Sequence, residues 1–203
     1  MLYSEGMKKN ARALRAAHHT ALVRAGFTIV ELLIVVVVIA ILASITIVSY
    51  NGITKRAENA LTLSLVKEWQ TKLGIYNVER GSFPDGTYEY SCLTTADALS
   101  ESTPFSDGQC MTAGVWGASA DDTMMTDIKD TVGSVPSGLY RTPMILDSAA
   151  HRGLLYLSRN GGHGITFVLN GPSDECEIGT LYYEQNSKLV CRLVLDGAPY
   201  EGL

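Results

Sequence analysis

The chain lacks charged residues over one long interval, because none lies between Glu31 and Lys55. Proline and glycine are also absent between Phe27 and Tyr50, so nothing in that stretch would sharply kink a helix. At a rise of about 1.5 Å per residue, the uncharged interval can cross a hydrocarbon layer about 30 Å thick. These absences predict one apolar helix that is able to span a bilayer.

Motifs for catalysis are also scarce. The chain has four histidines, and two of them, His18 and His19, precede the apolar interval. His151 and His163 remain for acid-base chemistry, but no G-x-S-x-G or H-E-x-x-H pattern accompanies them. The glycine-rich residues 161–164 lack the Lys-Ser/Thr ending of a phosphate loop and predict a turn. We therefore expect no enzyme and no cofactor, with a membrane-anchored enzyme as the rival class.

The composition predicts a folded protein with one modest domain. Of the 203 residues, 46% are hydrophobic and 18% are charged, which excludes a disordered chain. The segment before the apolar interval is basic, so it should stay cytoplasmic and the C-terminal part should lie outside. The charged residues of that segment are Glu5, Lys8, Lys9, Arg12, Arg15 and Arg24.

The net charge of −5 does not favour a nucleic-acid partner. Removing the basic N-terminal segment would leave the rest of the chain still more acidic. Binding to duplex DNA depends largely on Lys and Arg side chains that meet phosphates. We therefore predict no nucleic-acid partner.

All cysteines lie in the part expected outside the cytoplasm. Four cysteines in an oxidising compartment predict two disulfides, for which three pairings are possible. We favour the near neighbours, Cys92 with Cys110 and Cys176 with Cys191. Zinc is the alternative, but no C-x-x-C spacing is present and only two histidines lie in that part, so we expect no metal.

The order of segments around Gly26 is the reverse of that in an ordinary secretory signal. Small residues precede the apolar run, so a cut there would leave the membrane helix on the mature protein. The sequence GFTIVE at residues 26–31, followed by LLIVVVVIAILA, resembles the class III signal and N-terminal helix of type IV pilins and pseudopilins. The resemblance implies that a prepilin peptidase cuts between Gly26 and Phe27 and that Phe27 becomes N-methylated.

Glu31 is a carboxylate inside an apolar segment. Such a charge costs about 2.5–3.5 kcal/mol on insertion scales and therefore usually has a partner. The resemblance implies that Glu31 of one subunit meets the Phe27 amine of a neighbour in a filament. It also implies four partners: further copies of the chain, the prepilin peptidase and methyltransferase, a pilus assembly platform, and the membrane.

A helical pattern continues beyond the apolar interval. It should end near residues 79–81, because Gly81 suits a C-cap and Pro84 cannot continue a helix. Many pilins carry glycine or proline within the apolar half, whereas here Gly52 is the nearest weak point. The apolar stripe predicted to pack on the protein's own domain comprises Ala57, Leu61, Leu65, Trp69, Leu73 and Tyr76.

The remaining residues predict loops, short helices and a sheet. Residues 85–135 are rich in Ser, Thr, Gly and Asp, with short helices expected at 96–99 and 123–132. The aspartates in this region favour a solvated acidic face over a calcium loop, since no EF-hand pattern is present; they are Asp121, Asp122, Asp127 and Asp130. Strands are expected at 153–158, 164–169, 179–184 and 188–194, which together predict an antiparallel meander.

These observations predict an α+β protein whose long N-terminal helix packs on a C-terminal antiparallel sheet, as the pilin resemblance also implies. The expected parts are a leader at 1–26, a membrane and filament helix at 27–50, an amphipathic continuation at 51–80 and a head at 81–203. The predicted function is a pilin, held in the cytoplasmic membrane and then assembled into a surface pilus for adhesion or twitching motility. The alternative is a pseudopilin of a type II secretion or DNA-uptake system.

Overall fold

The computed structural model describes residues 26–100, 104–112, 117–146, 149–171 and 176–196, without the side chains of residues 48, 49, 141 and 142. Most of the leader predicted at 1–26 therefore lies outside the described residues. The chain forms two compact units, Met1–Ile45 and Thr46–Leu203.

Helix α1 is continuous from Ile29–Arg80. Long runs of Val, Ile and Leu without proline sustain it, and it passes through Gly52 without a break. The side chains described at residues 29–47 are all exposed. Within the described part of the chain, α1 is the one helix long and apolar enough to cross a membrane.

The C-terminus of α1 confirms the position of the predicted stop. Gly81 has φ of +80°, and its N–H donates to the Asn77 carbonyl at 2.9 Å. Glycine adopts this left-handed conformation without strain because it has no Cβ atom, and its N–H satisfies a carbonyl of the last helical turn.

In the second unit, α1 buries one face against the sheet. The prediction is confirmed for Trp69, Leu73 and Tyr76, but it is wrong for Ala57 and Leu61, which are exposed. Steps of four residues advance about 40° beyond a full turn, so the predicted stripe rotates away from the domain. The buried face follows alternating steps of four and three: Thr62, Val66, Trp69, Leu73 and Tyr76.

The remaining described elements are one sheet and two short helices. A 3-10 helix covers Ala96–Ala98 and α2 covers Asp122–Val132, both close to their predicted positions. The strands are β1 Tyr90–Cys92, β2 Gln109–Thr112, β3 Ala118–Ala120, β4 Leu139–Ile145, β5 Ala150–Gly153, β6 Leu155–Arg159, β7 Gly162–Asn170, β8 Thr180–Gln185 and β9 Lys188–Val194. Their order in the sheet is β4-β5-β2-β3-β1-β6-β7-β9-β8. The α+β fold class is confirmed.

The sheet differs from the predicted antiparallel meander in two ways. Strands β1 and β3 are parallel, so the sheet is mixed. Strand β9 lies between β7 and β8, whereas a meander would place β8 beside β7. The reason is burial, because β9 has buried residues on both faces while β8 is largely exposed and therefore suits an edge.

Two disulfides link neighbouring parts of the sheet. Cys92 of β1 is bonded to Cys110 of β2, and Cys176, which precedes β8, is bonded to Cys191 of β9. These are the near-neighbour pairs. Each closes a short loop, which in the chain-entropy description stabilises a fold by about 3 kcal/mol.

The segment closed by Cys92 and Cys110 is also held by a buried cation. The Arg152 guanidinium of β5 donates to the carbonyls of Gln109 at 2.5 Å, Ser100 at 2.5 Å and Leu99 at 3.2 Å. It also lies 4.7 Å from the centre of the Phe105 ring. Hydrogen bonds to a charged donor are stronger than neutral ones, so Arg152 orders a segment that the sequence predicts only as a loop.

A polar clamp joins α1 to the end of β7. The Asn59 side chain donates to the Asn170 carbonyl at 2.7 Å and accepts from the Asn170 N–H at 2.7 Å. The Asn170 amide donates to Glu58 at 2.9 Å, and Lys188 donates to the Asn170 side-chain oxygen. The clamp satisfies both backbone groups of a buried residue.

The clamp predicts a large effect of Asn59→Leu. Both backbone groups of Asn170 would lose their partner, and an unpaired buried polar group costs about 1–3 kcal/mol. We expect the free energy of unfolding to fall by about 2 kcal/mol or more. Chemical denaturation of the full chain in detergent micelles measures it.

Asn77→Leu is the matched control. Asn77 is a half-buried asparagine of the same helix whose side chain makes no hydrogen bond within the described residues. If the two variants lost equal stability, the clamp would have no special role.

Candidate cleavage and assembly site

The start of α1 brings together the residues that the sequence singles out. Gly26 and Phe27 precede the helix in irregular, exposed backbone, and the Phe27 side chain is 85% exposed. Irregular exposed backbone is the kind that proteases cut most readily. Glu31 lies in the first turn of the helix.

Thr28 and Glu31 form a reciprocal cap. The Thr28 backbone N–H and hydroxyl donate to Oε2 of Glu31 at 2.8 and 2.9 Å. The Glu31 N–H in turn donates to the Thr28 hydroxyl oxygen at 3.2 Å. This S/T-x-x-E capping box satisfies N–H groups that have no partner within the helix, and it begins α1 at Ile29. Sequence reasoning missed it, although the Thr-x-x-Glu spacing would have indicated it.

The cap uses only one of the two carboxylate oxygens. Both bonds from Thr28 end on Oε2, and within the described residues Oε1 accepts no hydrogen bond. A carboxylate has about four acceptor positions on its two oxygens. Glu31 can therefore hold the cap and receive a further donor at the same time.

Asp121, one of the aspartates expected on a solvated face, is instead buried. It caps α2 by accepting from the Met124 N–H at 3.0 Å and also accepts from the Thr87 N–H at 2.7 Å. Desolvation raises the pKa of Asp121, but these hydrogen bonds outweigh it and hold the pKa below its ordinary value. The solvated-face prediction is wrong for this residue.

Two other aspartates of the group have separate structural partners. Asp127 accepts from Arg80 at 2.7 Å and from the Tyr76 hydroxyl, and Asp122 accepts from the Ala96 N–H at 2.9 Å. Burial, followed by the bond to Asp127, raises the pKa of Tyr76 to about 12. Among the described residues, no group of three or more His, Cys, Asp or Glu side chains could hold a metal ion.

The two candidate acid-base histidines are both part of the packing. His151 is 3% exposed on β5, and within the part of the chain that the structure describes its Nε2 has no hydrogen-bond partner. His163 Nδ1 lies 2.9 Å from the Tyr156 hydroxyl, which donates to the Pro84 carbonyl. Because the hydroxyl proton is used there, Nδ1 of His163 is the donor in that contact. Neither histidine makes a hydrogen bond to a serine or cysteine nucleophile within the described residues.

The fold and this site define a class: an α+β protein whose first described element is an exposed apolar helix with a capped carboxylate in its first turn. Comparison with known families agrees with that class. Residues 23–47 match the prokaryotic N-terminal methylation motif, the class III signal peptide of type IV pilins. No solved structure matches the chain significantly.

The motif confirms the resemblance found in the sequence and supports a type IV pilin-like or pseudopilin protein. It implies processing by a prepilin peptidase. It indicates a structural protein rather than an enzyme. The apolar helix and the motif together are consistent with anchoring in a membrane.

His151 predicts an acid-dependent loss of stability. Desolvation lowers its pKa from 6.5 to about 4, so between these pH values the unfolded chain binds a proton that the folded chain does not. Stability is therefore lost as pH falls through this window, by about 3 kcal/mol at pH 4.

Comparison with His151→Leu isolates the contribution of His151 to this loss of stability. The acidic side chains that also titrate in this pH range are the same in both chains, so their effect cancels. Unfolding free energies from pH 7 to pH 4 should show the variant gaining on the parent as pH falls. A constant difference would contradict the prediction.

Gly26→Leu tests the proposed cut directly. A branched side chain at this position should block the peptidase, so that the leader stays attached to the membrane-bound protein. Intact-mass spectrometry should then show no loss of residues 1–26. Release of the leader at its normal mass would contradict this cut site.

Proposed function

We propose that this chain is the structural subunit of a type IV pilus-like surface filament. The leader is removed after Gly26, Phe27 is N-methylated, and the trimmed subunits polymerise through their apolar helices. The observation that carries the proposal is the methylation motif together with Glu31, whose Oε1 is left available at the start of that helix. In this proposal the leader at 1–26 is discarded, and the head at 81–203 lies on the outside of the filament.

The chemistry of the cut supplies a partner for Glu31. Cleavage converts the Phe27 amide into an amine that stays cationic at neutral pH, also after a single methylation. An ammonium group is the donor that best satisfies a carboxylate oxygen in an apolar surrounding. Pairing Glu31 Oε1 with the Phe27 amine of a neighbour fixes the axial stagger, because any other register would bury unpaired charges.

The apolar helix supplies the driving force for assembly. Residues 29–47 expose aliphatic side chains on all sides. Apolar surface outside a membrane costs about 25 cal/mol for each Å² in contact with water. A subunit that leaves the membrane is therefore stable only where other helices replace the lipid.

Before assembly, the subunit sits in the cytoplasmic membrane with its basic N-terminal segment inside. This orientation follows from the positive-inside tendency of residues 1–26. Its partners are further copies of the chain, the prepilin peptidase and methyltransferase, and an assembly platform. The same motif also occurs in pseudopilins of secretion or DNA-uptake systems, which is the alternative function.

The carboxylate of Glu31 is expected to be essential for assembly and dispensable for cleavage. In Glu31→Gln the side-chain oxygen still accepts from Thr28, but the charge that would attract the amine is lost. We expect normal leader removal and at least about tenfold less subunit in sheared surface filaments, since one lost charge-assisted bond of 1.5–3 kcal/mol changes an equilibrium by about that factor. Quantitative immunoblots of the sheared and membrane fractions measure this ratio.

Thr28→Val is the matched control, because it removes the hydroxyl of the cap and leaves the carboxylate charged. Its filaments should form at a yield much closer to that of the parent. If Glu31→Gln subunits assembled as well as the parent, the pairing role would be wrong. Abundant long fibres with N-methylated Phe27 favour a pilus, whereas their absence from the surface favours a pseudopilus.

A further inference from the structure

His151 is a buried histidine that takes no part in the proposed assembly site. It lies on β5, and among the described residues nothing hydrogen-bonds its Nε2. Most buried polar atoms in folded proteins are satisfied by protein groups, ordered water or an ion, and leaving one bare is destabilising. A nitrogen of this ring is therefore available to a ligand from outside the chain.

Two methionines flank His151 in the sheet. Met111 of β2 is the register partner of His151 on one side, and Met144 of β4 is its register partner on the other. Directly opposed residues of antiparallel strands project from the same face of a sheet, with Cβ atoms about 4.5–5.5 Å apart. The three side chains therefore form a row in which the imidazole lies between two thioethers.

The row is enclosed but adaptable. Met111 and Met144 are both buried, so water is largely excluded from the thioethers. Methionine has three rotatable side-chain bonds, which lets its sulfur adjust to an irregular space. Strand β4 is at one end of the strand order, and its register with β5 is irregular between Leu139 and Met144. Local opening of this edge strand would admit a small ion to the row.

The donor atoms of the row select one class of cation. Thioether sulfur is a soft ligand that selects Cu(I), and imidazole also suits copper. All three donors are neutral at pH 7, because methionine is uncharged and burial lowers the pKa of His151 to about 4. One positive charge costs less to bury among neutral donors than the two charges of a divalent ion. The four cysteines are all in disulfides, so no thiolate competes for the ion.

We propose that Met111, His151 and Met144 bind a single Cu(I) ion through one imidazole nitrogen and two thioether sulfurs. The ion gives the ring nitrogen of His151 a partner. Packing by itself would be served equally well by leucine at both methionine positions, and it would not account for an imidazole between them. The site does not depend on filament assembly, because its three ligands lie in the second unit of one chain.

Silver titration tests the site without redox chemistry, because Ag(I) is a soft monovalent ion like Cu(I) and keeps its oxidation state. The full chain in detergent micelles carries His18→Ala and His19→Ala, which remove the histidines of the N-terminal segment. Calorimetry should show one tightly bound Ag(I) ion, and Cu(I) kept reduced with ascorbate should compete with it. X-ray absorption of the Cu(I) complex should report nitrogen and sulfur ligands together.

Exchanging sulfur for carbon identifies the ligands. Met111→Leu and Met144→Leu should each weaken Ag(I) binding by about 10–100-fold or more, which is the effect of losing even an outer partner of a metal site. Leucine has nearly the volume of methionine, so these variants keep the packing. Met125→Leu is the matched control, because Met125 is buried on α2, outside the row, and its loss should leave binding unchanged. Retention of both disulfides and an unchanged circular dichroism spectrum show that the variants are folded.

Three results would overturn the copper site. These are a parent chain that binds neither Ag(I) nor Cu(I), binding that Met111→Leu and Met144→Leu weaken no more than Met125→Leu does, and a Cu(I) spectrum without sulfur ligands. None of them bears on the filament, whose test is the yield of sheared fibres.

Discussion

The rest of this structure depends on one constraint, which is that the first half of α1 has no apolar partner among the described residues of its own unit. Its aliphatic side chains are exposed on every side over residues 29–47. At about 25 cal/mol for each Å², so much apolar surface cannot stay in water. In the proposed function, lipid before assembly and other helices afterwards are the two environments that satisfy it.

In the proposed function, the same constraint gives Glu31 two roles. Its Oε2 closes the capping box with Thr28 and satisfies backbone donors that would otherwise be bare at an apolar helix end. Its Oε1 accepts no hydrogen bond within the described residues and is the atom that we propose pairs with the ammonium group of a neighbour. A hydrophobic helix alone would pack in many registers, since aliphatic contacts have no direction, whereas a charge pair allows only one.

The second unit is built to hold the remainder of α1 firmly. Trp69 and Leu73 are wholly buried against the sheet, and the Asn59 clamp holds the helix to the end of β7. The Cys92–Cys110 disulfide and Arg152 order the long segment before the core strands.

The sequence by itself determined the local features. These are the uncharged helix, its stop at Gly81, and the motif around Gly26 and Phe27. Each depends on periodicity or on a few adjacent residues, so each can be read without knowledge of distant contacts.

Only the tertiary structure decided the contacts between segments far apart in the chain. It placed β9 between β7 and β8 and paired β1 with β3 in parallel. It also turned Leu61 towards solvent rather than towards the core. It also buried Arg152 and His151, whose residue types predict exposure or chemistry. The physical reason is that burial depends on which distant surfaces meet, and short strands of three or four residues carry too little pattern to specify their neighbours.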